Sequence, residues 1–305
     1  MFNHCKFFIL AGGYGKRAQP LSLIKPKPLF PLNGTPLIKI LLDQLKEKGL
    51  HRGFINLHHM PQLLRQCVEE TIKPPGSPVI HFFYEKSLSG SRILKDAAAH
   101  MTDNDLLLVV NGDSFLEIPV EEMLEQIIKE QADGILLVRV NKEKDPQYKI
   151  LLTKDNCFTG RKIFTASRDP VKQPLMYTGI SLFKRNVVRV IDEINFFDML
   201  EKSDFKIKTC NYNGPWLDIG DPESYFESDA KYKKHLGINN SNSLSQNVFI
   251  SPDSTVKNCI IWENTEIKNK SVINNCIVTG NVTLDNVHYE NKIINGDSVE
   301  NRDML

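Results

Sequence analysis

The sequence predicts an α/β protein, with a Rossmann-like, doubly wound mixed sheet followed by a short left-handed parallel β-helix. Over the first 140 residues, short apolar runs alternate with segments of helical periodicity, which is typical of a doubly wound sheet. The run Leu106–Asn111 (LLLVVN) is continuously apolar, as expected of a central parallel strand covered on both faces. From Ser241 onward aliphatic residues recur six positions apart, which favours a parallel β-helix.

The first part of the chain predicts strands and helices in turn, each bounded by Gly, Pro or polar residues. Thr35 and Pro36 are predicted to be the N-cap and first residue of the first helix, and Gly49 to end it. The predicted strands are Lys6–Ala11, Gly53–Leu57, Pro78–Tyr84, Leu106–Asn111 and Gly134–Val140. The predicted helices are Leu37–Lys48, Pro61–Lys73, Ile93–Ala99 and Val120–Gln131.

After about Asn141 the alternation loosens, and strand-like pieces mix with short helices. This pattern predicts an insertion on the edge of the sheet, ending in a helix over Pro222–Leu236. The strand-like pieces are YKILLT (148–153), KIFTA (162–166), LMYTGISLF (175–183) and FKIKTCNY (205–212).

The repeat in the tail predicts two domains, residues 1–240 and residues 241–305. Cys259 and Cys276 lie 17 residues apart, close to the roughly 18 residues of one three-sided coil, so they are expected to stack. An Asn-rich disordered tail is the alternative, and the regular phase of the aliphatic positions disfavours it. The positions six apart are Ile250 and Val256, then Ile261, Ile267 and Ile273, then Val278 and Leu284.

Composition excludes several classes of protein. The net charge is +1, whereas a general nucleic-acid surface needs a strong basic excess, so no nucleic-acid partner is expected. The six cysteines form no CxxC pair, which argues against a zinc or redox site. The apolar run before Gly12 is too short for a signal peptide or a membrane span, so we expect a cytoplasmic protein with no membrane partner.

The stretch from Leu10 to Ile38 has the composition of a phosphate-binding loop. Glycines let the backbone turn tightly and bring its N–H groups close to an anion, while prolines stiffen the loop. No Walker A sequence is present, and the prolines rule out the helix that a dinucleotide fingerprint requires. The glycines are Gly12, Gly13 and Gly15; the cations are Lys16, Arg17, Lys25 and Lys27; the prolines are Pro20, Pro26 and Pro28.

Two aspartates are candidates for one magnesium ion. Asp113 follows the strand Leu106–Asn111, and ligands of open α/β sheets gather at the carboxyl ends of strands. Asp218 lies in the segment PWLDIGDPESY, where it can be held at the edge of a core. Asp221 competes with it, but Asp221 fits better as the N-cap of the following helix. Magnesium takes one or two carboxylates and completes its shell with phosphate oxygens and water.

The loop closely resembles the signature of sugar-1-phosphate nucleotidyltransferases, LAGGxGxRxxPLT followed by PKPLxPxxGxPLI, with Ser22 at the usual threonine. The resemblance implies that the glycine loop wraps a nucleoside triphosphate. It implies that Arg17 contacts the β- and γ-phosphates and that Lys27 reaches the reacting phosphates. It also implies that Asp113 and Asp218 hold Mg²⁺, with Arg17, Lys27 and Asp113 as the catalytic residues. The nucleotide-binding residues that it implies are Leu10, Ala11, Gly12, Gly13, Gly15, Lys16, Glu85 and Gly90.

Three stretches resemble the family less closely. In Glu85–Ala98, Arg92 and Ile93 stand where the family has small residues that line the nucleoside pocket. The segment Tyr177–Ser181 resembles the stretch against the sugar, which implies contacts from Thr178 and Gly179. The family's Glu-Lys-Pro before it is replaced by SRDPVK, so either Lys172 or Arg168 is the candidate for the sugar phosphate.

The resemblance implies an enzyme that joins a nucleoside triphosphate to a sugar 1-phosphate and releases pyrophosphate, best matched to GTP and mannose 1-phosphate. Other readings stay open: UTP or dTTP with N-acetylmuramate, glucose or heptose 1-phosphate, or a catalytically silent relative that binds nucleotide sugars. A β-helix acyltransferase would need more coils and a catalytic histidine, and residues 241–305 hold a single histidine, His288. This tail is expected to support a homo-oligomer.

Overall fold

The structure is a computed structural model that describes residues 4–141, 149–163, 174–192, 195–296 and 298–302. In residues 1–240 the strands are β1 Cys5–Leu10, β2 Pro31–Leu32, β3 Thr35–Pro36, β4 Arg52–Leu57, β5 Val79–Tyr84, β6 Leu106–Asn111, β7 Ser114–Leu116, β8 Gly134–Val140, β9 Ile150–Lys154, β10 Cys157–Lys162, β11 Leu175–Lys184, β12 Ile207–Asn211 and β13 Trp216–Asp218. The helices are α1 Leu37–Glu47, α2 Pro61–Thr71, α3 Ile93–Ala97, α4 Val120–Lys129, α5 Arg185–Val188, α6 Phe196–Leu200 and α7 Pro222–His235.

A mixed sheet with the strand order β5-β4-β1-β6-β11-β8-β12-β10-β9 forms the centre of the described residues. Strands β5, β4, β1 and β6 are parallel, and β11 is antiparallel to both of its neighbours, β6 and β8. Successive residues of β1 face opposite sides: Phe7 packs with α1, α2 and α4, whereas Phe8 packs with α3, α5 and α6. Helices therefore cover both faces, which confirms the predicted doubly wound α/β sheet.

The start of the first helix was predicted wrongly. Thr35 and Pro36 form β3, which pairs with β2, and α1 begins at Leu37. The Leu37 N–H donates to the Phe30 carbonyl at 3.1 Å, so this tertiary pairing overrides the local preference for an N-cap at Thr35. Of the strand expected over KIFTA (162–166), Lys162 is the last residue of β10, and residues 164–166 lie outside the described residues.

The tail forms what we call the strand stack, in which strands from successive turns of the chain pair in parallel along three sides. The register runs Ser243, Ile260, Ile277 and Ile293, so a turn takes 17 residues and then 16. The final strand alone is antiparallel to its neighbour. The strands are β14 Ser243–Leu244, β15 Val248–Ile250, β16 Thr255–Lys257, β17 Ile260–Ile261, β18 Thr265–Lys268, β19 Val272–Asn274, β20 Ile277–Val278, β21 Thr283–Asp285, β22 His288–Glu290, β23 Lys292–Asn295 and β24 Ser298–Asn301.

The six-residue spacing places its residues correctly in the interior of the strand stack. Ile261, Ile267 and Ile273 are fully buried, and Cys259 and Cys276 lie on successive turns with at most 1% exposure. The abundance of asparagine also has a structural cause, since Asn tolerates the left-handed conformation at turns. The turn asparagines with positive φ are Asn247, Asn258, Asn264, Asn269, Asn275, Asn281, Asn286 and Asn291.

None of the helices in the described residues combines the length and the apolar character that crossing a bilayer requires.

Candidate active site

A cleft of about 710 Å³ opens at the carboxyl ends of β1 and β6. A second cleft, of about 900 Å³ between α1 and β12, contains neither the glycine loop nor Asp113 among its described lining residues. The first cleft is therefore the candidate active site. Ten predicted residues line it: Leu10, Ala11, Gly12, Gly13, Gly15, Lys16, Arg17, Lys27, Gly90 and Asp113. The others are Pro28, Asn56, Leu88, Ser91, Asn111, Tyr177, Asn195, Phe196 and Phe197.

The glycine loop follows β1 and turns back over Lys27. Gly15 has φ +62°, a left-handed conformation that L side chains rarely adopt. A Cβ at Gly15 would lie 3.2 Å from Lys27 Cγ, so the loop and the lysine side chain are in close contact. The sequence predicted this loop from its glycines, and the structure brings it to the same cleft as Asp113.

Asn56, at the end of β4, ties the glycine loop to the predicted nucleoside segment. Its Oδ1 accepts from the Ala11 N–H at 2.7 Å, and its Nδ2 donates to Glu85 Oε2 at 2.5 Å. The other oxygen of Glu85 accepts from the Ser89 N–H at 2.9 Å. The Glu85 carboxylate thus holds the segment before Gly90; Glu85 itself is not among the described residues that line the cleft, whereas Leu88, Gly90 and Ser91 are. The position of Asn56 at a strand end was the available sequence signal.

Two histidines support the glycine loop from outside the cleft. His58 Nδ1 donates to the Glu85 carbonyl at 2.8 Å, and its Nε2 accepts from the Tyr14 hydroxyl at 2.8 Å. His59 Nε2 donates to the Ser22 carbonyl at 2.8 Å. Both rings also contact the Tyr14 ring.

A short ribbon brings the two predicted metal ligands together. β13 pairs antiparallel with β7, which sets Asp218 opposite Ser114, the residue after Asp113. The Ile219 N–H donates to the Asp113 carbonyl at 3.2 Å. Asp113 and Asp218 are therefore neighbours in space although they are 105 residues apart in the chain. Chain order alone cannot supply this pairing.

Lys27 lies beside this pair of carboxylates. Its Nζ donates to the Gly220 carbonyl at 2.8 Å and lies 3.8 Å from Asp113 Oδ2. Burial lowers the pKa of Lys27 below its ordinary value, although the charges of Asp113 and Asp218 act to raise it. Two carboxylates outweigh the single charge of Lys27, so they favour a further cation beside them.

Arg17 and Asp221 take separate places around the same turn. A Cβ at Gly220 would lie 3.5 Å from Arg17 Nη2 and 2.9 Å from Asp218 Oδ2, so these two side chains flank Gly220. Asp221 is the N-cap of α7: its side chain accepts from the Ser224 N–H at 2.8 Å in a capping box. The predicted N-cap role of Asp221 is confirmed, and the metal-binding role of Asp218 stays a prediction.

The predicted sugar-side residues lie where β11 passes the end of β6. Gly179 has φ +95°, and a Cβ there would lie 3.0 Å from the Asn111 side chain. The Thr178 hydroxyl is buried and donates to the Leu137 carbonyl at 3.0 Å, so it is engaged within the sheet. Lys172 and Arg168 lie outside the described residues.

Most of the chain matches one family of proteins. A family model described as Nucleotidyl transferase matches residues 6–235. This chain belongs to the nucleotidyl transferase family. The predicted family, and the prediction that the protein is a nucleotidyltransferase enzyme, are confirmed.

The transferase is similar to curated relatives over most of its length. One, from Sulfolobus acidocaldarius, has the provisional name mannose-1-phosphate guanyltransferase. It is 28% identical over 273 residues, which cover 86% of this chain and 74% of the relative. Another, the mannose-1-phosphate guanyltransferase of Pichia angusta, is 24% identical over 277 residues, covering 83% and 74%.

Solved structures share the fold of this transferase. HddC from Yersinia pseudotuberculosis, complexed with GMP-PN, superposes with a TM-score of 0.63 at 22% identity, covering 75% of this chain and 99% of that one. UDP-glucose pyrophosphorylase from Acinetobacter baumanii gives a TM-score of 0.63 at 15% identity, covering 75% and 94%.

The residues by which this transferase departs from the family signature point away from the cleft. Arg92 is exposed, and its Nε donates to the Asp192 carbonyl at 2.7 Å. Ile93 is buried among the side chains of α3, α5 and α6. Ser91 Oγ accepts from the Phe196 N–H at 3.0 Å and so joins the nucleoside segment to α6. The large residues are accommodated because this segment presents Gly90 and Ser91, and not Arg92 and Ile93, to the cleft.

Proposed function

We propose that this transferase joins GTP to mannose 1-phosphate, giving GDP-mannose and pyrophosphate. The observation that carries the proposal is the buried Lys27 Nζ, which lies 3.8 Å from Asp113 Oδ2 in the lining of a cleft walled by the glycine loop. The names of the curated relatives support the choice of base and sugar.

The reaction needs alignment and charge neutralisation more than proton transfer. A sugar 1-phosphate is largely dianionic near pH 7, so its oxygen is already a nucleophile. That oxygen bonds to the α-phosphorus of GTP while the bond from the α-phosphorus to the α,β-bridging oxygen breaks, and pyrophosphate leaves with the bridging oxygen. Lys27, Arg17 and the N–H groups of the glycine loop stabilise the negative charge on the phosphates.

The donor set fits magnesium. Asp113 and Asp218 offer hard carboxylate oxygens on neighbouring segments, and the described residues contain no cluster of three or more His, Cys, Asp or Glu side chains that would complete a protein-only site. Magnesium characteristically binds through one or two carboxylates and completes its shell with phosphates and water. When bound, it would neutralise phosphate charge and polarise the reacting phosphoryl group.

Further proposals follow for the rest of the chain. Residues 1–240 form the catalytic domain, and residues 241–305 form a left-handed β-helix that supports a homo-oligomer. Glu85 and Gly90 shape the nucleoside pocket, and Thr178 and Gly179 shape the sugar side. The protein acts in the cytoplasm.

The test is pyrophosphate release by the purified full chain, with each of GTP, ATP, CTP, UTP and dTTP crossed with mannose, glucose and N-acetylmuramate 1-phosphates. We expect release with GTP and mannose 1-phosphate together, none with either alone, and loss of release with EDTA. Release with UTP or dTTP instead would overturn the base assignment. Tight binding of nucleotide without turnover on any pair would indicate a silent relative.

A further inference from the structure

Lys25 belongs to the basic loop, but its charged group contacts the strand stack. Its Nζ lies 2.5 Å from Glu263 Oε1 and 4.5 Å from the centroid of the Trp262 ring. The Lys25 side chain is 13% exposed, so this contact is largely shielded from water. Glu263 and Trp262 belong to the strand stack, more than 230 residues further along the chain. The loop that carries Lys27 is therefore held from the C-terminal part of the molecule.

The other end of the same loop is held by the same tryptophan. Trp262 is fully buried, its Nε1 donates to the Tyr225 hydroxyl at 3.1 Å, and that hydroxyl donates to the Pro31 carbonyl at 2.7 Å. The Phe30 ring lies 5.3 Å from the Trp262 ring and 5.2 Å from the Tyr225 ring. Lys25 and Pro31 thus bracket a segment that Trp262 anchors at both ends.

Lys27 lies between these two anchors. It begins a single 3-10 turn, in which the Phe30 N–H donates to the Lys27 carbonyl at 2.9 Å. Tyr225 lies on α7, which begins at Pro222, four residues after Asp218. Trp262 therefore contacts both the segment behind Lys27 and the helix behind Asp218.

We propose that Trp262 and Glu263 are positioning residues for nucleotidyl transfer. They touch no substrate; they fix the backbone of 25–31, and through it the place of Lys27 Nζ relative to Asp113. The inference rests on the proposed role of Lys27. The effect on rate is large for a small movement, because a displacement of about 1 Å at a reacting centre can cost roughly 100-fold in turnover.

The first test uses Glu263→Gln, Lys25→Met and the double variant in the full chain. We expect each single change to lower kcat about tenfold with smaller changes in KM, and the double variant to be no worse than the poorer single, since both remove one contact. Glu266→Gln is the matched control, because Glu266 lies in the same strand stack and forms a local ion pair with Lys268, two residues away. A purely structural role would lower the melting temperature and leave kcat per folded molecule unchanged, and that outcome overturns the proposal.

A second variant and a second measurement do not depend on turnover. Trp262→Phe keeps a ring beside Lys25 but removes the donor to Tyr225, and it avoids the cavity that alanine would leave in the core. Hydrogen exchange of the peptide over residues 25–31 should speed up in Glu263→Gln and Trp262→Phe but not in Glu266→Gln. Unchanged exchange would contradict the proposal. A wild-type chain that releases no pyrophosphate, but shows these exchange differences, would contradict only the proposed function.

Discussion

At Lys27, burial and neighbouring charge act on the pKa in opposite directions. Burial is the larger effect and lowers the pKa from its ordinary value of 10.5, while Asp113 and Asp218 raise it. Such a lysine costs stability in the ligand-free protein, because folding must bury its charge. We propose that phosphate binding offsets this cost, so that Lys27 serves an anionic ligand and not the stability of the fold.

Lys27→Met should therefore raise the melting temperature of the ligand-free protein at pH 7 while abolishing turnover. A lowered pKa means that the unfolded chain binds more protons than the folded one between the folded pKa and 10.5, so wild-type stability rises with pH across that window. The advantage of the variant should shrink as the pH rises from 7 towards 10. Differential scanning calorimetry against pH measures this, with exposed Lys39→Met as the control. An advantage that stays constant with pH would refute the assignment.

Asp113 gives a second prediction at the scale of one residue. Asp113→Asn keeps the shape of the side chain but removes a negative charge from the proposed metal pair, so kcat should fall by roughly 10² to 10³-fold. The variant should also require more magnesium for half-maximal rate. A magnesium titration of pyrophosphate release measures both, with Asp96→Asn on the exposed side of α3 as the control. Near-normal turnover would remove Asp113 from the metal site.

At the scale of elements, the segment from β13 to α7 contains two aspartates, Asp218 and Asp221, that lie three residues apart and for which we predict different roles. Asp221→Ala removes the N-cap of α7 and should lower the free energy of unfolding by about 1 kcal/mol, with a small effect on magnesium dependence. Asp218→Ala should have a small effect on the free energy of unfolding and a large effect on magnesium dependence. Urea denaturation and magnesium titration of both variants form the test. If Asp221→Ala shows the stronger magnesium effect, the two roles are exchanged.

The asparagine turns of the strand stack lead to a further prediction, about stability. Asn264 has φ +55°; its Nδ2 donates to Asn281 at 3.2 Å, and its Oδ1 accepts from Asn247 at 3.0 Å. Asn264→Ala should lose this ladder and also strain the backbone, whereas Asn264→Gly loses the ladder alone. The alanine variant should therefore be less stable than the glycine variant by about 1 kcal/mol in thermal or urea unfolding. Equal stabilities would show that the turn does not impose the left-handed conformation.

The sequence predicted a feature correctly where one contiguous stretch contains both its residues and the pattern that determines their structure. The glycine loop, the strand before Asp113 and the six-residue repeat are contiguous, so their placement follows from local rules. The Lys25–Glu263 contact and the Asn56–Glu85 bond join distant segments, and no local pattern reports them. At Thr35 the local rule was misleading, because pairing of β3 with β2 prevailed over helix capping.

At the scale of the whole molecule, the strand stack and residues 1–240 share an interface. Asp229 on α7 accepts from the Asn33 N–H at 2.7 Å, and it also accepts a hydrogen bond from Ser243 of the strand stack. Trp262 belongs to the same core cluster as Phe30 and Tyr225. The strand stack therefore packs against residues 1–240 and shares their hydrophobic core.

A chain truncated after residue 240 should consequently lose both stability and turnover. It would expose Phe30 and Tyr225, which are fully buried, and would free Lys25 from Glu263. We expect calorimetry to show a lower melting temperature. We also expect pyrophosphate release to show a lower kcat, even at temperatures well below that melting temperature.

Phe249→Ser in the full chain is the companion variant, since Phe249 is 54% exposed on the outside of the strand stack, away from this interface. If light scattering shows that Phe249→Ser dissociates an oligomer without loss of kcat, the strand stack serves assembly and catalysis through separate surfaces. A truncated chain with wild-type stability and kcat would show that the interface serves neither.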